Sequence, residues 1–321
     1  TADTIDPTVL RGTISYADGI LTLTADEWID ADPTSNVNLG KIWISDRGGG
    51  KDIPLTDATV QAASEGYTVV IVLTEHQRTE AIRISNQIGG NSGAIVVDLD
   101  AGAIQDMGTR GNVDQDGVGI TETADLVKPS FDSASIDFNN GHLVFKATEV
   151  MDLDPLSNLD LARFFLSDTA DAATSALVGD EGPYGRADRV HLDGSEFLSQ
   201  STDLLSLTVK LTEVQRTKAL YLSSQPGNIN AATGSGNNLP LKLELLSDAI
   251  YDVAQNKNDD LLDSNIAGGT ALSVETPDTT KPTVVNVTLF LNVQPCNLKI
   301  ILSETIRVES TSQLGDFVVD F

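Results

Sequence analysis

Leu73-Thr-Glu-His-Gln-Arg-Thr-Glu-Ala-Ile-Arg-Ile-Ser85 and Leu211-Thr-Glu-Val-Gln-Arg-Thr-Lys-Ala-Leu-Tyr-Leu-Ser223 are two versions of one segment, 138 positions apart in a chain of 321 residues. The likeness extends outward in both directions. Upstream, Gly19-Ile-Leu-Thr-Leu-Thr-Ala-Asp-Glu27 matches Gly141-His-Leu-Val-Phe-Lys-Ala-Thr-Glu149, and each is followed by an Asp-Pro and a Ser-Asn pair (Asp32-Pro33 and Ser35-Asn36; Asp154-Pro155 and Ser157-Asn158). Downstream, Ala103-Ile-Gln-Asp106 matches Ala249-Ile-Tyr-Asp252. A third start follows: Asp278-Thr-Thr-Lys-Pro282 takes the place of Asp125-Leu-Val-Lys-Pro129 and Asp3-Thr-Ile-Asp-Pro7, and Glu304 takes the place of Glu27 and Glu149. The offset between copies grows in steps, from 122 at Gly19/Gly141 through 138 at Thr74/Thr212 and 146 at Ile104/Ile250 to 153 at Pro129/Pro282. Stepwise growth is how loop insertions accumulate between otherwise equivalent elements. The expected division is residues 1–127, 128–280 with insertions, and 281–321 as the start of a truncated third copy, as if the chain were cut from a longer array. Its Thr-Ala-Asp start likewise reads as that of a processed chain or a fragment.

Within a copy the hydrophobic period is two. Leu21, Leu23 and Ala25 alternate with Thr22, Thr24 and Asp26, and Leu241, Leu243 and Leu245 are spaced the same way. Tyr67–Leu73, Ala94–Leu99 and Leu204–Leu211 are further β-rich runs, separated by Gly, Asn and Asp clusters. Several short strands per copy, without a long 3.6-residue period, predict an all-β fold of tandem Ig-like β-sandwich repeats. Thr74 with Gln77, and Thr212 with Gln215, have capping-box spacing, which predicts a single helical turn between two strands. A polar site at Glu75, His76 and Arg78 is the competing reading of that segment, and Val214 in place of His76 weighs against a catalytic histidine.

Composition excludes several partners. With 47 Asp and Glu against 20 Lys and Arg the formal net charge is −27, which disfavours nucleic acid and anionic lipid. It favours cations, basic partners or plain solvation. One cysteine, Cys296, permits no internal disulfide and reads as a small apolar core residue. No apolar run reaches membrane-span length. His76, His142 and His191 lack metal-ligand spacing, and neither a nucleophile elbow nor a P-loop occurs, so no enzyme is expected. His142 reads as a surface strand residue.

The Pro-Thr start after Asp-Thr-Thr, the Leu-x-Ile-x-Leu-Ser-Glu strand ending in Glu304, and the acidic ends of the last strands resemble bacterial Ig-like, cadherin-like modules of surface-layer proteins, adhesins and other large cell-surface proteins. The units are longer than is usual for such modules, and Asp106 is followed by Met-Gly-Thr-Arg-Gly-Asn rather than directly by Ala-Gly-Asn. The resemblance implies an extracellular or cell-surface structural protein forming a rod, filament or surface layer. Its partners would be neighbouring copies of itself. The alternative is a calcium-dependent adhesin for a glycan or surface-protein ligand, and a third reading is a spacer in a carbohydrate-active enzyme.

Calcium is the one cofactor expected. Asn112-Val-Asp114-Gln-Asp116-Gly117 has the alternating oxygens and glycine turn of half a calcium loop, without the glutamate that closes an EF-hand. The Asn256–Asp260 segment is its counterpart. By resemblance to cadherin-like junctions, Glu27, Glu149, Asp106, Asp252, Asp125 and Asp278 would gather at the ends of units and share Ca²⁺. Two readings concern the surface. The insertion Asp168–Gly194, with Tyr184, Arg186 and Arg189, is either a decorated loop or a dock for an acidic neighbour, and Asn286-Val-Thr288 is a glycosylation sequon.

Overall fold

The alternating Leu21, Leu23 and Ala25 lie on one face of a strand, and all three are buried. The computed structural model describes residues 3–61, 65–167, 189–225, 240–261, 270–290 and 297–305. In the first repeat the strands are β1 (Val9–Ser15), β2 (Ile20–Asp30), β3 (Ile42–Ser45), β4 (Ile53–Pro54), β5 (Thr59–Val60) and β6 (Glu65–Val72). Helix α1 (Glu75–Ile84) and strands β7 (Val96–Leu99) and β8 (Gln115–Thr123) complete it. The second repeat has β9 (Phe131–Asp137), β10 (His142–Ala147), β11 (Phe164–Ser167), β12 (Arg189–His191), β13 (Glu196–Gln200) and β14 (Ser206–Lys210). It ends with α2 (Glu213–Leu222), β15 (Lys242–Leu245) and β16 (Thr270–Thr276). Strands β17 (Val284–Phe290) and β18 (Asn297–Leu302) pair as a separate hairpin.

The first sheet runs β4-β3-β7-β8-β1-β2-β6-β5 and the second β12-β11-β15-β16-β9-β10-β14-β13, the same order of equivalent strands. Strand β8 joins the two halves of its sheet. Its first half pairs antiparallel with β7 (Val97 opposite Val118), and its second half pairs parallel with β1 from Gly12–Ile120 to Ser15–Thr123. The halves face each other, because Ile14, Leu21, Leu23 and Ile71 from one share a single buried cluster with Ile42, Ile44, Val97 and Leu99 from the other. Two antiparallel halves packed over one core, with a first strand pairing parallel with the last, is an Ig-like β-sandwich. The equivalent core of the second repeat is richer in aromatics, with Phe131, Phe145 and Phe164 in mutual contact.

Helices α1 and α2 each enter on the expected capping box: Thr74 Oγ1 accepts from Gln77 N at 3.2 Å, while Gln77 Oε1 accepts from Thr74 N at 3.0 Å, and Thr212 and Gln215 repeat the arrangement. The single turn expected there is in fact ten residues in each copy. Beyond the cap, Thr79, Ala81 and Ile82 are buried, so packing extends a helix whose length alone would leave it marginal in water. Arg189 also departs from expectation. It lies in β12, is buried, faces Glu244 at 3.8 Å and sits over the Phe165 ring, so it is no part of an exposed docking loop. Tyr184, Arg186 and Cys296 lie outside the described residues.

Candidate functional site

A buried arginine needs several acceptors, because its five N–H donors cannot be left without partners away from water. Arg78, one turn into α1, has an 8% exposed side chain. Its Nε and one terminal nitrogen hold the two oxygens of Glu75 at 2.7 Å each, and another nitrogen donates to the Tyr16 carbonyl at 2.7 Å. The remaining contacts reach the linker and the second repeat. Arg78 pairs with Asp125, in the linker after β8, and with Glu149, after β10 of the second repeat, at 3.1 Å. In return Glu75 accepts the Val150 N–H at 2.9 Å. The Glu-x-x-Arg of the helix is therefore a two-way clamp across the junction.

The next junction repeats it residue for residue. Arg216 in α2 holds both oxygens of Glu213 at 2.8 and 2.9 Å, donates to the Phe138 carbonyl, and pairs with Asp278 at 2.7 Å and Glu304 at 3.7 Å. Glu213 accepts the Thr305 N–H at 2.8 Å. Burial pushes the Glu213 carboxyl up, but Arg216 and Thr305 outweigh it and hold the group below its ordinary range.

Apolar contact accompanies the first clamp. Val150, Val253 and Ala254 of the second repeat are buried in the core cluster of the first. Gly89 makes the approach possible: a Cβ there would lie 1.9 Å from the Val253 carbonyl oxygen, and its φ of +88° favours glycine. Asn256 also donates to the Asp125 carbonyl at 3.2 Å.

The junction is rich in negative charge. Oxygens of Asp125, Glu149 and Asp252 lie within 4.8 Å of one another, all in buried residues. Burial, with Asp125 and Asp252 nearby and against the pull of Arg78, raises the Glu149 carboxyl to about 7. Burial raises Asp252 to about 6 despite two hydrogen bonds from Asn256. Asp3, Glu27 and Asp106 form the equivalent group at the start of the first repeat. Among the described residues no guanidinium pairs with this group: Arg110 donates its backbone N–H to Asp106 Oδ1 at 2.7 Å but turns its side chain to Asp6. Glu27 Oε1 and Asp106 Oδ2 are buried without a hydrogen bond. Burial raises the Glu27 carboxyl, and Asp106 and Asp3 add to the effect.

Of the residues expected to bind calcium, Asp106, Asp125, Glu149 and Asp252 thus fall into convergent groups, and Asp278 into the second clamp. The Asn112–Asp116 loop does not converge. Asn112 is buried and spends its amide on the Ile104 N–H and the carbonyls of Asp100 and Val113, while Asp114 accepts from Ala101 N and Asp116 is exposed. Asn258 and Asp260 repeat the first two roles, with Asp260 accepting from Ser247 N. These residues pin a turn. A hard cation needs several oxygens free to turn toward it. The Asp3–Glu27–Asp106 group offers them, whereas at Asp125–Glu149–Asp252 Arg78 already supplies positive charge. His76 is exposed and has no part in either group.

Sequence reasoning missed the role of Glu75 and Arg78, which it weighed mainly as part of a cap. The signal was present: Glu-x-x-Arg recurs with Asp125/Asp278 and Glu149/Glu304, which are repeated in the same sense.

No family model matches the chain, and no curated protein matches it. Among solved structures it is similar to one addressing Dscam isoform specificity, at 9% identity and a TM-score of 0.21, covering 92% of this chain and 61% of that one. The chain therefore spans less than two thirds of that structure's length. It is also similar to a marsupial T cell receptor (10% identity, TM-score 0.17, 88% of this chain and 77% of that one) and to murine CEACAM1b (8%, 0.14, 75% and 92%). At these scores the similarities carry no argument, and the sandwich assignment rests on the strand order. Among the described residues no helix is long and apolar enough to cross a membrane.

Proposed function

We propose that this chain is a structural component of an extracellular rod, filament or surface layer, in which Ig-like repeats are joined end to end at fixed angles. The observation that carries this reading is the Glu-x-x-Arg clamp, made by the same positions at both junctions. A flexible tether needs no buried ion network across its hinge. A stiff array does, because each unit touches only its neighbours and must fix its orientation through them. The acidic surface keeps such an array soluble and away from nucleic acid. Electron microscopy of the full chain tests the reading. Elongated particles of one constant bend that join into ordered polymers are expected, and a strictly monomeric chain with a broad spread of bend angles refutes it.

Calcium at a unit end that receives no arginine is a further part of the proposal, supported by the convergence of Asp3, Glu27 and Asp106 around unpartnered oxygens. Bound Ca²⁺ would relieve the mutual repulsion of these carboxylates. A melting temperature unmoved by EDTA or added Ca²⁺ would remove calcium from the proposal and leave the rod.

A further inference from the structure

The three unit starts are chemically equivalent, yet among the described residues only two of them hold an arginine. Asp125 and Glu149 receive Arg78, and Asp278 and Glu304 receive Arg216. Asp3 and Glu27 stand at the same positions of the first repeat, and the residues around Asp3 match as well: Thr1-Ala-Asp3 is identical to Thr123-Ala-Asp125. Among the described residues their group has no such cation, since Arg110 meets Asp106 only through its backbone N–H and gives its guanidinium to Asp6. Asp106, only 2% exposed, contributes an oxygen to it, and both Asp106 Oδ2 and Glu27 Oε1 are buried with no partner.

A second, apolar observation falls on the same face. Val150 and Val253 of the second repeat are 1% and 5% exposed because they pack into the first repeat's core. The first repeat has Trp28 and Met107 at those positions, and each is 50% exposed. Trp28 is braced edge-on by Tyr67, itself 52% exposed. Large apolar side chains ringing unsatisfied carboxylates mark a docking surface.

We infer that the Asp3–Glu27–Asp106 face docks another copy of this repeat, whose helix inserts the arginine of its Thr-Glu-x-Gln-Arg segment between Asp3 and Glu27 while its body covers Trp28 and Met107. The partner is identified by its chemistry: a guanidinium for the carboxylates, and the apolar end of a sandwich for the aromatic and the thioether. The inference rests on the rod reading, since it extends the internal junction to a further unit.

Met107 supplies the test. The chain has two methionines, and the other, Met151, is 1% exposed. A copy of residues 1–122, carrying Met107→Leu, is fused ahead of Thr1, which reproduces the register of the existing junction. Peroxide oxidation of the remaining Met107 is followed by mass spectrometry, with the fold of the added copy verified by a doubled amplitude of the tryptophan unfolding transition. Because susceptibility follows exposure, oxidation is expected to slow about tenfold, as Met107 falls to the accessibility Val253 has at the internal junction. Arg78→Glu in the added copy should restore the fast rate. Equal rates with and without the folded copy overturn the inference, and protection that survives Arg78→Glu overturns the role of the arginine. Val253→Met in the unfused chain separates the two readings. If its new side chain is protected while Met107 in the fusion is not, only the inference fails. If neither is protected, the fixed junction behind the rod reading fails with it.

Discussion

Replacing Arg78 with methionine keeps most of the side-chain volume and removes the charge from the first clamp. Asp125, 1% exposed, and Glu149, 8% exposed, then face Asp252 with no cation among them. Their simplest escape is to take up protons, and that sets a ceiling on the cost. Protonating an aspartate of ordinary pKa at pH 7 costs about 4 kcal/mol, at 1.36 kcal/mol per unit from a reference near 3.9. Glu149 is already raised to about 7 with the arginine in place, so much of its penalty is present in the unaltered chain. We therefore expect Arg78→Met to destabilise the first repeat by about 3–5 kcal/mol at pH 7, the range found when one partner of a buried pair is lost. The sign with pH follows from linkage. Carboxyls whose folded pKa is raised contribute full stability below their unfolded pKa and lose it as pH climbs through the folded value. The deficit should thus shrink by about 2–3 kcal/mol on going from pH 7 to pH 5, two units of the same ceiling. Both tryptophans, Trp28 and Trp43, belong to the first repeat, so urea unfolding followed by tryptophan fluorescence reads that repeat alone. A deficit under about 1 kcal/mol, or one that does not depend on pH, would refute the clamp as a buried ion network.

Three further outcomes can be checked by the same fluorescence assay. Gly89→Ala should cost about 2 kcal/mol or more, since it combines a left-handed φ with a Cβ against the Val253 carbonyl; an unchanged midpoint contradicts the close approach. Thr74→Ala should cost about 1 kcal/mol through loss of the capping box, with Thr74→Ser retaining most of it. Asp98, buried and accepting from Ser45 Oγ, Gly49 N and Gly117 N, has its carboxyl held below the ordinary range by those bonds against the push of burial. It therefore stabilises the fold above its unfolded pKa and loses that contribution as pH falls through the folded value, so Asp98→Asn should flatten the acid limb of the stability profile.

How much of this was legible beforehand differs by level. The β character was open to reading because one face is buried: Leu21, Leu23 and Ala25 must alternate with polar neighbours, and that alternation survives in the sequence. The helix length was not, because its continuation depends on Ala81 and Ile82 meeting a core assembled from distant strands. The calcium-like loop reads two ways for a related reason. Asn and Asp at alternate positions also suit hydrogen bonding to local backbone, which is what Asn112 and Asp114 do. The junction residues were flagged as acidic clusters, but their counter-ion was not foreseen. Arg78 is 47 positions from Asp125 and 71 from Glu149, and nothing local in its helix points across the boundary.

The parallel pairing of β1 with β8 has a mechanical consequence. The chain enters a repeat through β1 and leaves it through β8, so traction on the two ends pulls these neighbouring strands in opposite directions along their common axis. The hydrogen bonds from Gly12–Ile120 to Ser15–Thr123 are then sheared together rather than opened one at a time, and β9 with β16 repeats the arrangement. A series of such repeats yields only when a whole ladder fails at once, and load passes from one unit to the next through the Asp125 linker that Arg78 anchors.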